Sequence, residues 1–204
     1  MVTARHKVLA TKILIHLAQW TAFAWLALNV INQSLGAEPV DVVVHFFGKA
    51  ALNTLLLTLV MTPFVRRFKT GWLIQCRRLM GLYSFAWAML HLTAYLALDL
   101  DLRFDLLIEE VFTRPYLIVG AISWVILLLL TLTSTQSMMR KLGKTWQALH
   151  NWVYLAALLA PIHYLWSVKS GIIEPAIYLL VTLAILSTRK QKFMRWLATY
   201  KKAT

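Results

Sequence analysis

Six apolar runs, most of them close to the roughly 20 residues that cross a bilayer core as helix, alternate with short charged clusters along the 204 residues. A backbone in lipid has no water to bond, so such runs fold as helices that satisfy their own amides. The runs fall at about 8–31, 42–64, 78–98, 116–134, 146–168 and 172–187. Hydrophobic residues make up 60% of the chain and charged residues 14%, against about a quarter charged in soluble domains. The expected fold is all-α: a polytopic membrane protein, a six-transmembrane-helix bundle in one domain spanning 1–204. Short links make consecutive helices neighbours. The first run lacks a small-residue cleavage site and is read as a retained helix.

A net charge of +13 would fit a nucleic-acid binder, but its distribution argues against nucleic acid. The eight acidic residues fall in three segments: Glu38 and Asp41; Asp99, Asp101, Asp105, Glu109 and Glu110; and Glu174. All but four of the 21 basic residues (Lys49, Arg103, Arg114 and Lys169) lie in the alternate segments. This is the positive-inside pattern of a membrane protein. It predicts cytoplasmic N- and C-termini, with basic ends meeting the lipid bilayer's headgroups. The single cysteine, Cys76, allows neither an internal disulfide nor a cysteine-based metal cluster.

Pro115 falls at the first turn of the fourth run, where a missing N–H costs little. Pro161 lies inside the fifth and is expected to kink it. The outer segment 104–112 (FDLLIEEVF) has apolar residues at helical spacing; a surface-lying helix and an ordinary loop both fit. The basic tail, 188–204, reads as an amphipathic surface helix. No Gly-rich phosphate-binding motif, internal repeat or low-complexity segment is evident.

Five of the six histidines fall in or at the runs, and ionisable groups in a membrane are costly enough to point to function. At about 1.5 Å rise per residue, His91 stands roughly 20 Å and His163 roughly 25 Å above the inner boundary, and His150 only about 6 Å. Two imidazoles on different helices at matched depth are what bis-histidine ligation of haem b requires. The competing reading is a hydrogen bond from each ring to a neighbouring helix. Arg77, Gly81, Ser84, Ala88, His91 and Tyr95 share one face of the third helix. Its small middle suits a flat macrocycle or a closely packed helix. A second haem at His150 would need a partner near Arg77, and none of the nearby residues is a histidine. His45, Lys49 and Asn53 line one face of the second run, where Lys49 either snorkels or meets a haem propionate or a quinone carbonyl. His16 is expected to make a plain hydrogen bond, with a quinone or flavin contact as the alternative.

The stretches RRLMGLYSFAWAMLHLTAYLALDL (77–100) and KLGKTWQALHNWVYLAALLAPIHYLW (141–166) resemble the ferric-reductase-like transmembrane family. More narrowly, they are similar to the haem-binding membrane subunits of bacterial methionine sulfoxide reductase systems. GAEPV before HFFGKAAL, TRPYLIVGAISWVILL and TSTQSMMRKLGKTW extend the likeness over nearly the whole chain. The resemblance implies a bacterial inner-membrane electron-transfer subunit rather than a catalytic one, carrying haem b and FMN. Matched by position, His91 and His163 are the outer haem ligands. His150, Arg77 and Arg78 belong to a cytoplasmic-side flavin or second haem, and Arg77 stands where the two-haem relatives carry a histidine. The implied donor is membrane quinol or a cytosolic flavin reductase. The implied acceptor is a periplasmic molybdopterin enzyme that reduces methionine sulfoxide in oxidised proteins. Two other readings fit the residues: a stand-alone ferric or quinone reductase, and a haem-free transporter or anchor.

Overall fold

Apolar periodicity in lipid leaves helix as the one local solution, and the computed structural model, which describes residues 4–189, has no strand among them. The tail expected to form a surface helix lies, from residue 190 onward, outside the described residues. Four stretches are long and apolar enough to cross a membrane: Ala4–Ile31, Pro39–Phe68, Gly71–Asp99 and Pro115–Leu132. The first, second and fourth are α1, α2 and α5. The third combines a 3-10 turn (Gly71–Cys76), α3 (Arg77–Ala94) and a π turn (Tyr95–Asp99). Between the third and fourth lies α4 (Phe104–Thr113). Then come α6 (Gln136–Leu142), α7 (Lys144–His150), α8 (Val153–Ser167) and α9 (Ile173–Ser187). The expected fifth and sixth spans correspond to α7 with α8 and to α9; α8 and α9 have 15 residues each.

Local chemistry accounts for several ends. Pro39 and Pro115 open α2 and α5, where the absent N–H is not needed. Lys69 closes α2 in the left-handed region, φ 54°, and Arg66 and Arg67 in its last turn complement the negative helix end. Helix α8 continues through Pro161. The expected fifth span is interrupted at Asn151 and Trp152, between His150 and His163. The outer segment is helical. Leu107 and Val111 of α4 face the protein interior, while Phe104, Ile108 and Phe112 are exposed. Arg103 bonds Asp105 at 2.6 Å and holds its carboxyl below the usual range, and Arg114 pairs with Glu110.

Two cores hold the bundle. One gathers Leu55, Leu59, Ala88, Ile126, Leu127, Tyr154, Ala156 and Ala157 from α2, α3, α5 and α8. The other joins Leu26 of α1 to Val44, Phe47, Trp87 and Ala94. Large apolar residues such as Trp20, Leu28, Ile177 and Leu180 face outward, as lipid contact demands. Helices approach through small residues and bond across the gap. The Ser84 hydroxyl donates to the Ala51 carbonyl at 3.0 Å, and the Ser123 hydroxyl to the Ala156 carbonyl at 3.1 Å. Ser123→Ala in detergent is expected to lower unfolding stability by about 0.6 kcal/mol. Adding Ser84→Ala, on a different helix pair, is expected to give an additive loss in the unfolding midpoint.

Candidate haem site

Helices α2, α3, α5 and α8 enclose a cavity of about 440 Å³, roofed by α4. Its floor is apolar, with Leu52, Leu55, Ala88, Trp124 and Leu127, and its outer rim carries Asp41, His45, Lys49, Asp99, Tyr116 and Tyr164. His91 and His163 enter from opposite sides, their ring centres 6.1 Å apart and their planes at 78°. His91 Nδ1 lies 2.9 Å from the Val44 carbonyl and His163 Nδ1 2.8 Å from the Tyr116 carbonyl. A carbonyl only accepts, so both Nδ1 atoms carry the proton and each Nε2 keeps its lone pair.

The spacing fits a metal between the rings. Two imidazoles bonded to one central metal at about 2.0–2.1 Å have ring centres about 6 Å apart. Among the described residues, no three His, Cys, Asp or Glu side chains converge as a metal site. Two facing imidazoles without further protein ligands suit a macrocycle that brings its own four nitrogens. The cavity volume lies within the usual range for ligand sites, about 300–1,000 Å³.

The rings have room because glycine stands behind each. A Cβ added at Gly48 would lie 3.1 Å from His91 Nδ1, and one at Gly120 would lie 2.7 Å from His163 Nδ1. The two halves repeat one device. Each histidine bonds a carbonyl 47 residues earlier, four residues before its glycine. The serine bonds each span 33 residues, with donor and acceptor exchanged. Val44, Gly48, Ala51, Ser84 and His91 thus match Tyr116, Gly120, Ser123, Ala156 and His163 in order and spacing. No repeat is evident from residue identity, because what recurs is mostly backbone carbonyl and absent Cβ. The equal Gly-to-His spacing was the one available signal.

The small face of α3 serves both sequence-level purposes at different heights. Gly81 and Ser84 pack against α2 at Thr58 and Ala51; Ala88, His91 and Tyr95 line the cavity. Lys49 Nζ meets a Glu174 carboxylate oxygen at 3.2 Å. His45 Nδ1 lies 2.9 Å from the Asp41 carbonyl.

His150 is not brought to the paired histidines. Its ring stacks on Trp146 at 3.9 Å, with Nδ1 3.2 Å from the Trp146 carbonyl. Near it, at the inner end, Arg77, Arg66 and Arg189 converge. Burial, then the positive charges of Arg77 and Arg66, push Arg189 below the ordinary guanidinium value, against the influence of Tyr154. Arg189 donates to the Leu59 carbonyl at 2.9 Å, while its buried Nε has no partner among the described residues. Arg78, the next residue after Arg77, is exposed. Arg66 and Arg189 were not among the residues singled out from sequence; only the fold brings helix ends so far apart in the chain together.

Residues 47–161 match the family model described as ferric reductase like transmembrane component. Close relatives carry the name protein-methionine-sulfoxide reductase heme-binding subunit MsrQ. The protein from Pectobacterium carotovorum is 51% identical over 91% of this chain and 94% of its own. Those from Pectobacterium atrosepticum and Salmonella paratyphi B are each 50% identical over the same shares. With four apolar helices of spanning length, these likenesses make the protein an integral, multi-pass membrane protein of bacteria. The chain belongs to the ferric-reductase-like transmembrane family and, within it, to the MsrQ proteins.

Proposed function

We propose that this chain is the electron-transfer subunit of a protein-methionine-sulfoxide reductase system, with His91 and His163 as axial ligands of one haem b. The observation that carries the reading is the facing pair of imidazoles at 6.1 Å, each with Nδ1 bonded to a carbonyl. The relatives' printed name, heme-binding subunit, supports it. Bound there, haem would supply one-electron chemistry. The chain supplies orientation and environment. The Val44 and Tyr116 carbonyls hold the Nδ1 protons and aim both lone pairs, and the apolar floor excludes water.

In this reading α8 and α9 complete a six-span bundle in one domain, with cytoplasmic termini in the inner membrane. The basic segments at the inner end support that orientation. FMN would be held at the inner end, with Arg77, Arg78 and His150 as the residues that receive its phosphate. Electrons come from membrane quinol or a cytosolic flavin reductase. They leave to a periplasmic, molybdopterin-containing MsrP-like subunit, on which sulfoxide reduction takes place. The purified protein is expected to show a Soret band and reducible b-type bands, with one haem and one FMN per chain. No Soret band would refute the haem reading; two haems without FMN would refute the flavin. The stand-alone ferric reductase draws on the acidic outer segment, but Asp105 and Glu110 are already paired with Arg103 and Arg114. Reduction of ferric chelates as fast as of the purified partner would favour it.

A further inference from the structure

A second polar cluster lies inside the membrane, apart from the paired histidines. His16, on α1, is exposed on the outside of the bundle, and its Nδ1 lies 2.5 Å from the Tyr83 hydroxyl of α3. Its Nε2 has no hydrogen-bond partner among the described residues. One turn on, the buried Trp87 indole donates to Gln19 Oε1 at 2.5 Å. Elsewhere α1 joins the bundle at its two ends. Val8 and its carbonyl meet Cys76 at the inner end, and Leu26 packs into the outer core. Packing alone gives no reason for an imidazole between those ends, since leucine there would cover α3 and be at home in lipid. Ionisable groups within spans are rare and nearly always face the bundle interior.

The neighbouring residues point to a flat, lipid-soluble ligand. His16, Gln19, Trp20 and Phe23 form one stripe of α1 at steps of three, one and three residues. Trp20 and Phe23 are exposed, at 65% and 37%, and meet edge to face at 6.0 Å. Phe23 lies 6.4 Å from Trp87. On α3, Tyr83, Trp87 and His91 follow one another at four-residue steps, about 6 Å each. These three residues therefore share one face of α3 between the His16 contact and the paired histidines.

We infer that His16, Gln19, Trp20, Phe23, Tyr83 and Trp87 form a membrane-quinol site on the lipid-facing side of α1 and α3. The inference rests on the quinol-donor reading above. The Tyr83 hydroxyl either donates to His16 Nδ1 or accepts from it, so Nε2 presents itself as donor or acceptor accordingly. As acceptor it takes the quinol O–H; as donor it holds the quinone carbonyl. Oxidation breaks two O–H bonds and releases two electrons. Nε2 of His16 takes the proton of the O–H it bonds, the O–H at the far end of the ring loses its proton to water, and the imidazolium returns its own proton to water before the next turnover. The electrons leave one at a time past Trp87, toward the haem at His91 and His163 and on to its acceptor. Trp20 and Phe23 give the ring an apolar shelf.

The test uses detergent-purified holoprotein, with menadiol as reductant and menadione as ligand. Haem reduction is followed by anaerobic stopped-flow absorbance, and menadione binding by calorimetry. His16→Gln is expected to slow reduction and weaken binding by about tenfold, the worth of one hydrogen bond. Haem content and the dithionite-reduced spectrum stay unchanged. Tyr83→Phe is expected to shift the pH profile of the reduction rate. Trp20→Leu, on the exposed face, is expected to weaken menadione binding with the bundle intact. Wild-type rate and affinity in His16→Gln and Trp20→Leu would overturn this site while leaving the quinol donor standing. A wild-type haem that dithionite reduces and menadiol does not would overturn the donor reading, and this site with it.

Discussion

His91→Ala and His163→Ala are each expected to abolish the b-type spectrum, with haem per chain falling to background in a pyridine haemochrome assay. His150→Ala is expected to keep most of it. The difference follows from position. His91 and His163 share one cavity with ring centres 6.1 Å apart, so removing either leaves the metal one protein ligand and an apolar gap. His150 stacks on Trp146 outside that cavity. Equal losses in all three variants would contradict a single haem on the outer pair. Purification with FMN retained in His91→Ala would show that the inner group binds independently.

Gly120→Ala is expected to damage the same site without touching a ligand. Its Cβ would sit 2.7 Å from His163 Nδ1 and 2.9 Å from Cε1, distances that real Cβ atoms essentially never show. The ring must move, and the Tyr116 bond at 2.8 Å lengthens or breaks. Overpacking of this kind costs about 1–3 kcal/mol, which, if it falls on the haem-bound state, corresponds to a loss of haem affinity of about fivefold to 150-fold. Gly48→Ala is the milder case, with 3.1 Å to His91 Nδ1. Haem titration of the two variants is expected to rank Gly120→Ala below Gly48→Ala, with both below the wild type. The reverse order would mean that α5 yields more easily than α2 and that the second half of the repeated device is the softer one.

The paired histidines were legible because depth in a helix is a matter of counting. A rise of about 1.5 Å per residue places His91 and His163 at similar heights before any packing is known. The same counting sets His150 near the inner end, where it lies beside Arg77. Counting does not reach rotation or neighbours. Hydropathy marks one run over 146–168, yet Asn151 and Trp152 interrupt the helix, and neither is a strong breaker. Lys49 was weighed between lipid headgroups and a cofactor, yet it meets Glu174 on α9, distant in the chain. The segment 104–112 fitted helix and loop alike. A cavity to roof and an apolar face left exposed account for the helix.

The sequence by itself determined the membrane class, the helical runs, the alternation of charge between the links and the matched depth of two histidines. Those follow from each residue's own transfer between water and lipid and from fixed helical rise, both local quantities. Tertiary structure alone decided which carbonyls take the imidazole protons, why Gly48 and Gly120 must lack a Cβ, how Arg66, Arg77 and Arg189 gather, and that the exposed His16 meets Tyr83. Each depends on which helix faces approach and at what rotation. In lipid the apolar surfaces of different helices are nearly equivalent, so hydropathy does not rank one approach above another. Close packing of small residues and a few interhelical hydrogen bonds make that choice.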